Sequence, residues 1–429
     1  MLDLSPSALR RASIYQIFPR NFTAEGTLDA AAARLVEAAG MGFDYVYLTP
    51  FHPIGEVRRK GTLGSPYAIA DYRAVDERLG GEQALRRFVD EAHRLGLGVI
   101  MDIVYNHTSP DSVLAREHPE WFWKGPEGES APRIADWSDV IDLDYSHEGL
   151  VEYQIETLEY WARFGFDGFR CDVASLVPLS FWLEARRRVS EIKPMLWLAE
   201  SVHKEFVIEL RRRGMYAASD TELHRAFDLS YDYDGREELE AAWNGSRPLG
   251  YYLKMLAVQE GLYPENAVKL RFLENHDQRR AAERFGRGAR LRNWTLFAML
   301  LPGAFLAYMG QEEAMSRRIG LFDAEPMRAD EGDPGFTPFF VESLSLSRKI
   351  KTEAPFFDAQ LIAEGILLIE RRGPGSWFRA LLNLDGRSGK VELPRGTLFD
   401  GEILLGEAPP IMGTAIEIAP DPLLVSIKP

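Results

Sequence analysis

Four short segments of this chain end apolar runs with acids, an arginine and histidines: DIVYNHTS (Asp102 to Ser109), GFRCDVAS (Gly168 to Ser175), LAES (Leu198 to Ser201) and FLENHD (Phe272 to Asp277). A buried strand gains nothing from a titratable ending, but a catalytic pocket requires one, so four such endings imply one shared site. Asp172 and Glu200 close neighbouring strands. Such a pair can flank a glycosidic bond, one acid protonating the departing oxygen while the other carboxylate attacks or stabilises the anomeric carbon. Arg170, two residues before Asp172 on a strand, points to the same side and is expected to keep Asp172 ionised, as a nucleophile requires. Asp277 brings a third carboxyl that would raise the pKa of a partner, and Glu200 is the expected holder of that proton. His107 and His276 sit beside these acids as neutral donors able to grip sugar hydroxyls.

The elements that must position these groups alternate between short β-like runs and amphipathic helices. Strands are expected at 14–18, 45–48, 98–103, around Phe169, at 196–199, 226–229, 269–273 and 304–308. Between the second and third, Leu85, Phe88, Val89, Ala92 and Leu95 recur at helical spacing, with Gly96 as a stop signal. Val151, Ile155, Leu158 and Ala162 repeat the pattern before the fourth strand. Eight β-then-α units imply an α/β chain whose parallel sheet closes into a (β/α)8 TIM barrel, with the active site at the carboxyl ends of the strands. The acidic segments fall at strands three, four, five and seven. About thirty residues after strand three, rich in Pro, Gly and Trp, read as a short inserted subdomain over the mouth. Trp121, Trp123 and Trp137 are either its small core or a sugar-stacking wall. After about Pro355 the pattern turns to period two with Gly and Pro turns, a small all-β domain. The expected division is 1–106 and 138–355 for the barrel, 107–137 for the insertion and 356–429 for the C-terminal β domain.

The bulk composition bounds the partners. A chain of 429 residues with 46% hydrophobic and 11% aromatic residues is ample for a packed globular protein. A net charge of −15 argues against nucleic acid. A single cysteine, Cys171, excludes an intrachain disulfide. No long apolar N-terminal core and no run of about 18 apolar residues is present, so neither a signal peptide nor a membrane span is expected. The expectation is a cytoplasmic protein.

The four segments, in this order and on these strands, resemble the signature regions of the α-amylase family, glycoside hydrolase family 13. The resemblance implies that Asp172 is the nucleophile, Glu200 the general acid/base and Asp277 the acid that stabilises the transition state. It places Asp102, His107, Arg170 and His276 around the sugar next to the scissile bond, with Tyr67 of GSPYAIADY stacking under that sugar. The mechanism implied is double displacement with retention, on an α-glucan substrate. Hydrolysis of α-1,4 bonds in maltodextrins is the leading expectation. Transfer to a sugar acceptor (4-α-glucanotransferase) and exo-acting α-glucosidase chemistry, including α-1,6, stand beside it.

The chain departs from the family pattern at several points. Ser65 stands where a histidine often precedes the stacking tyrosine. Ser175 and Leu176 stand where many members carry a Lys-His pair on the acceptor side. His203, three residues after Glu200, is either an acceptor contact or a surface group. No cofactor is required. Asn106 matches a family calcium ligand, and Asp111, Asp136 and Asp139 are the acids that would complete an oxygen cage around such an ion; calcium is an option that the short insertion leaves open.

Overall fold

The computed structural model describes residues 3–134, 136–397, 399–407, 411–412 and 414–427. Eight parallel strands form the barrel: β1 (Ser13–Ile17), β2 (Tyr45–Leu48), β3 (Gly98–Ile103), β4 (Gly168–Cys171), β5 (Leu196–Ala199), β6 (Leu229–Tyr231), β7 (Val268–Arg271) and β8 (Ala304–Tyr308). β1 pairs with both β2 and β8, which closes the ring. Every barrel strand is buried along its whole length. That two-sided burial is why the strands read as continuous apolar runs rather than alternating ones.

Side-chain parity divides the two faces. Ile14, Ile100, Leu196, Leu198, Leu229 and Leu270 point inward and fill the barrel. Val99, Met101, Phe169, Trp197 and Phe305 point outward, beneath the helices. The register sets Ile100 beside Gly168 and Leu196, and one layer higher Asp102 beside Arg170 and Leu198. Gly168 is needed in the lower layer: a Cβ there would lie 3.0 Å from Leu196 Cβ and 3.1 Å from Ile100 Cγ1. One further step of two residues carries Asp172 and Glu200 to the mouth. These two acids thus continue the inward-facing rows of β4 and β5.

The helix Gly81–Arg94 buries Ala84, Leu85, Phe88, Val89 and Ala92, the face expected from its spacing. It stops where expected, because Gly96 adopts φ +80° and lets Leu97 N–H reach back to Ala92 O at 2.9 Å. The sixth strand lies three residues later than expected. Ala226 and Phe227 are buried, but in a turn, and the Asp228 carboxylate there accepts from Trp197 N–H at 2.9 Å. A buried apolar turn and the first half of a buried strand look alike by periodicity.

The insertion after β3 is not structureless. His107–Thr108 pairs antiparallel with Ile141–Asp142, and a short helix, Val113–Glu117, lies between. The pairing strand therefore falls beyond residue 137. Trp121 is buried and stacks on His118 at 3.7 Å, so it belongs to the insertion's core. Beyond the helix Thr337–Glu353, strands Phe356–Ala363, Ile366–Gly373 and Ser376–Asn383 begin a five-stranded antiparallel sheet that Gly401–Leu405 and Leu423–Ile427 complete, with a three-stranded sheet interleaved in chain order. No helix among the described residues is long and apolar enough to cross a membrane.

Candidate active site

At the carboxyl end of the barrel lies an open cleft of about 380 Å³, lined in part by Tyr67, His107, Asp172, Glu200, His276 and Asp277. Asp102 and Arg170 lie directly beneath, both fully buried. All eight residues singled out from the sequence for catalysis or sugar binding therefore gather in one place, six in the wall and two under the floor.

Arg170 organises the floor. Its Nη1 donates to Asp102 Oδ1 at 2.7 Å and to Asp172 Oδ1 at 2.9 Å. Its Nη2 lies 2.8 Å from Glu200 Oε2, an ion pair without the alignment of a hydrogen bond. A planar guanidinium with fixed donors is the group that can hold several carboxylates at once. Glu200 Oε2 also accepts from Val173 N–H at 3.0 Å. Val173 holds φ +36° and ψ +45° to present that N–H, a conformation disfavoured for a β-branched residue. The strain sits directly after Asp172 and aims the backbone at Glu200.

Sequence reasoning foresaw an Asp172 kept ionised by Arg170. The surroundings instead push the Asp172 carboxyl well above its ordinary range: burial dominates, Arg170 opposes it, and the charges of Glu200 and Asp102 add to the rise. Arg170 was visible in the sequence; its sharing among three acids was not. Asp102 is likewise raised by burial, against the pull of Arg170. Its other oxygen accepts from Tyr47 OH at 2.5 Å and Tyr67 OH at 2.9 Å.

Tyr67 also touches His276. Its hydroxyl lies 2.6 Å from His276 Nε2, and the two rings stack at 5.3 Å between centroids. Gln16 Nε2 is 2.7 Å from the other ring nitrogen. Burial, with Arg170 adding to it, lowers the His276 pKa to about 4, so this ring is neutral above mildly acidic pH. Asp277 faces the open cleft with its side chain 41% exposed, 3.1 Å from His276 Nε2. Tyr47 and Gln16 were not foreseen as site residues. The signal was a polar group at an inward-facing position of each strand: Gln16, two residues after Ile14 in SIYQI, and Tyr47, two after Tyr45 in YVYL.

On the remaining expectations the site is specific. Trp137 lines the cleft with its ring 5.4 Å from His107, so it is wall whereas Trp121 is core. Ser65 also lines the cleft, its hydroxyl accepting from Tyr67 N–H at 3.2 Å. Ser175 and Leu176 are buried, and Ser175 Oγ accepts from Val202 N–H at 3.3 Å. His203 precedes the helix Lys204–Arg212 without a side-chain capping bond, and its ring lies 5.1 Å from that of Tyr233.

The proposed calcium cage does not assemble. Asp111 is spent on Ser109 and on the N–H of Glu56 and Val57, while Asp139 pairs with Lys60 at 2.7 Å. Asp136 is exposed. Asn106 Oδ1 accepts from Arg133 Nη2 at 3.2 Å, and no cluster of three or more His, Cys, Asp or Glu with metal-binding geometry occurs among the described residues. Asp142 Oδ1 is buried without a hydrogen-bond partner. One orphan oxygen beside a guanidinium is far from the six to eight oxygens calcium takes.

The comparisons agree with this geometry. The α-amylase catalytic-domain family model matches residues 16–138 and 121–333. The chain belongs to the α-amylase family. An α-amylase from Lactobacillus plantarum superposes with a TM-score of 0.92 at 40% identity, over 98% of this chain and 100% of that one. A noncanonic maltogenic α-amylase from Thermotoga neapolitana superposes with a TM-score of 0.85 at 30% identity, over 98% and 99%. Curated relatives include the alpha-1,4-glucan:maltose-1-phosphate maltosyltransferase of Salinibacter ruber, 36% identical over 223 residues, 45% of this chain but 33% of that protein. The chain thus matches only about a third of the length of those transferases. As an α-amylase-family enzyme it is a glycoside hydrolase or transglycosylase.

Proposed function

We propose that this α-amylase-family enzyme hydrolyses α-1,4 bonds of maltodextrins and related α-glucans with retention of configuration. The observation that carries the reading is the gripping of Asp172 and Glu200 by adjacent nitrogens of one guanidinium at the cleft floor. Two carboxyls so held favour the short separation of retaining enzymes, about 5–5.5 Å, over the wider gap that admits a water between them.

In the first step Glu200 gives its proton to the departing glycosidic oxygen as Asp172 attacks the anomeric carbon, forming a glycosyl-enzyme. In the second, Glu200 takes a proton from water as its oxygen attacks the anomeric carbon from the face that the leaving group vacated, opposite Asp172, and the bond to Asp172 breaks. Asp277, at the exposed wall, accepts sugar hydroxyls, and Tyr67 stacks beneath the ring. Developing positive charge on the sugar is opposed by the buried carboxylates in a site that excludes much of the water.

Water is favoured over a sugar as acceptor by one local feature. The side chains at 175 and 176, which could grip an acceptor, are buried and turned to backbone and core. Full-length likeness to two α-amylases points the same way, whereas the transferase relatives match over part of the chain. Transfer to a sugar hydroxyl is the second reading, supported by those relatives. Incubation with maltoheptaose tests both: shorter α-anomeric products support hydrolysis, chains longer than the substrate support transfer, and initial β-anomers would overturn the mechanism.

A further inference from the structure

Arg133 joins the insertion to the barrel through two contacts of opposite ownership. Within the insertion, its backbone N–H and Nε donate to Asp142 Oδ2 at 3.2 and 2.8 Å. Across the junction, its Nη2 donates to Oδ1 of Asn106, just beyond the end of β3, at 3.2 Å. Asp142 is fully buried and its backbone pairs with His107. A single positive group thus bridges a carboxylate on one side and an amide oxygen on the other.

The bridge has a consequence for His107. A guanidinium only donates, so the Asn106 amide must turn its oxygen toward Arg133. That leaves Asn106 Nδ2 facing His107 Nδ1, 3.2 Å away. An amide nitrogen only donates as well, so Nδ1 must accept, and the proton of the neutral ring resides on Nε2. That nitrogen lies 4.0 Å from Asp172 Oδ2, and both side chains belong to residues that line the cleft. The wrong tautomer would set a lone pair against a carboxylate and offer the substrate no donor.

We infer that Arg133 is a positioning residue, a built-in cation that takes the place of a bound metal ion at this junction and, by orienting Asn106, holds His107 as the Nε2–H tautomer. The role does not depend on whether water or a sugar accepts the glycosyl group. Apart from Arg133, no lysine or arginine contacts the Asn106 or Asp142 side chain in the hydrogen bonds and ion pairs of the described residues, and Lys60 nearby is paired with Asp139.

The test compares wild type, Arg133→Met and Arg133→Lys. Protein labelled with ¹⁵N-histidine is read by NMR, with His107 assigned by the signal missing in His107→Gln. Wild type is expected to show Nε2 protonated and Nδ1 bare. Arg133→Met should move those shifts toward a tautomer mixture and lower kcat/KM on maltoheptaose about tenfold, with Arg133→Lys recovering part of both. The wild-type thermal midpoint should not change with added Ca²⁺ or after exhaustive chelation. A midpoint that falls on chelation would overturn the substitution of side chain for metal. If Arg133→Met lowers the midpoint but leaves the His107 shifts and kcat/KM unmoved, Arg133 is structural only. Should Arg133→Met fail to fold, the wild-type spectrum still decides: a protonated Nδ1 ends the proposal.

Discussion

Asp172 and Glu200 share one guanidinium: Arg170 Nη1 is 2.9 Å from Asp172 Oδ1, and Nη2 is 2.8 Å from Glu200 Oε2. The separation and the charge balance of the two acids are therefore set by the same buried group. Arg170→Lys keeps the charge but replaces a fork by a point, so it can satisfy only part of the set. We expect a loss in kcat/KM of at least about a hundredfold, with substrate still binding. The pH–rate profile carries the second signature. Burial raises Asp172 against the pull of Arg170, so the acidic limb should lie above the ordinary aspartate value of about 3.9 and move higher in Arg170→Lys. A limb at ordinary aspartate pH in wild type would contradict the assignment of Asp172 as the attacking group.

Tyr67 offers a ring and a hydroxyl that can be separated. Tyr67→Phe retains the stacking surface but removes the bonds to Asp102 Oδ2 at 2.9 Å and His276 Nε2 at 2.6 Å. If about 1.4 kcal/mol of the lost bonding acts on the transition state, kcat should fall about tenfold, while KM for maltoheptaose changes little. Tyr67→Ala should raise KM as well. Equal effects of the two variants on KM would show that the ring does not contact the sugar.

Much of this is legible in the amino-acid sequence, for a physical reason. Strands buried on both faces leave unbroken apolar runs, and their polar endings at Asp102, Asp172, Glu200 and Asp277 stand out against them. What could not be read was any relation across strands. The sharing of Arg170 among Asp102, Asp172 and Glu200 depends on register, not on spacing within one segment. Arg133 reaches Asn106 from 27 residues away, and it looked like any loop arginine. The pKa of Asp172 was misjudged for the same reason, because burial is a property of the whole barrel. The pattern also misplaced β6, where Ala226 and Phe227 are buried in a turn.

Glu312 makes stability depend on pH. It is buried, Tyr15 OH donates to its Oε1 at 2.7 Å, and its Oε2 has no hydrogen-bond partner. Burial raises its pKa from 4.5 to about 7, the Tyr15 bond opposing. A carboxyl raised in the folded state binds its proton there more tightly than in the unfolded chain. Its contribution is therefore fully present below pH 4.5 and lost as pH rises to about 7. Glu312→Gln removes that titration. Its stability relative to wild type should rise between pH 5 and pH 8 by about 2–3 kcal/mol, read as the difference in thermal midpoints at the two values. A difference that stays constant with pH would mean that Glu312 does not titrate in this range.

Arg371 ties the C-terminal sheet to the barrel. From the strand Ile366–Gly373 it donates through Nε and Nη2 to Leu300 O at 3.2 and 2.6 Å, and through Nη1 to Pro355 O at 3.1 Å. Leu300 ends the helix Ala289–Leu300, where carbonyls lack intrahelical partners and the helix dipole favours a cation. Arg371→Met keeps the apolar stem but leaves that carbonyl buried without a donor, at a cost of about 1–3 kcal/mol. None of these residues lines the catalytic cleft, so kcat and KM at 25 °C should match wild type. The thermal midpoint should fall, and limited proteolysis should release the segment beyond residue 355 before the barrel is cut. Lost activity in a folded variant would mean that the sheet supports the site directly.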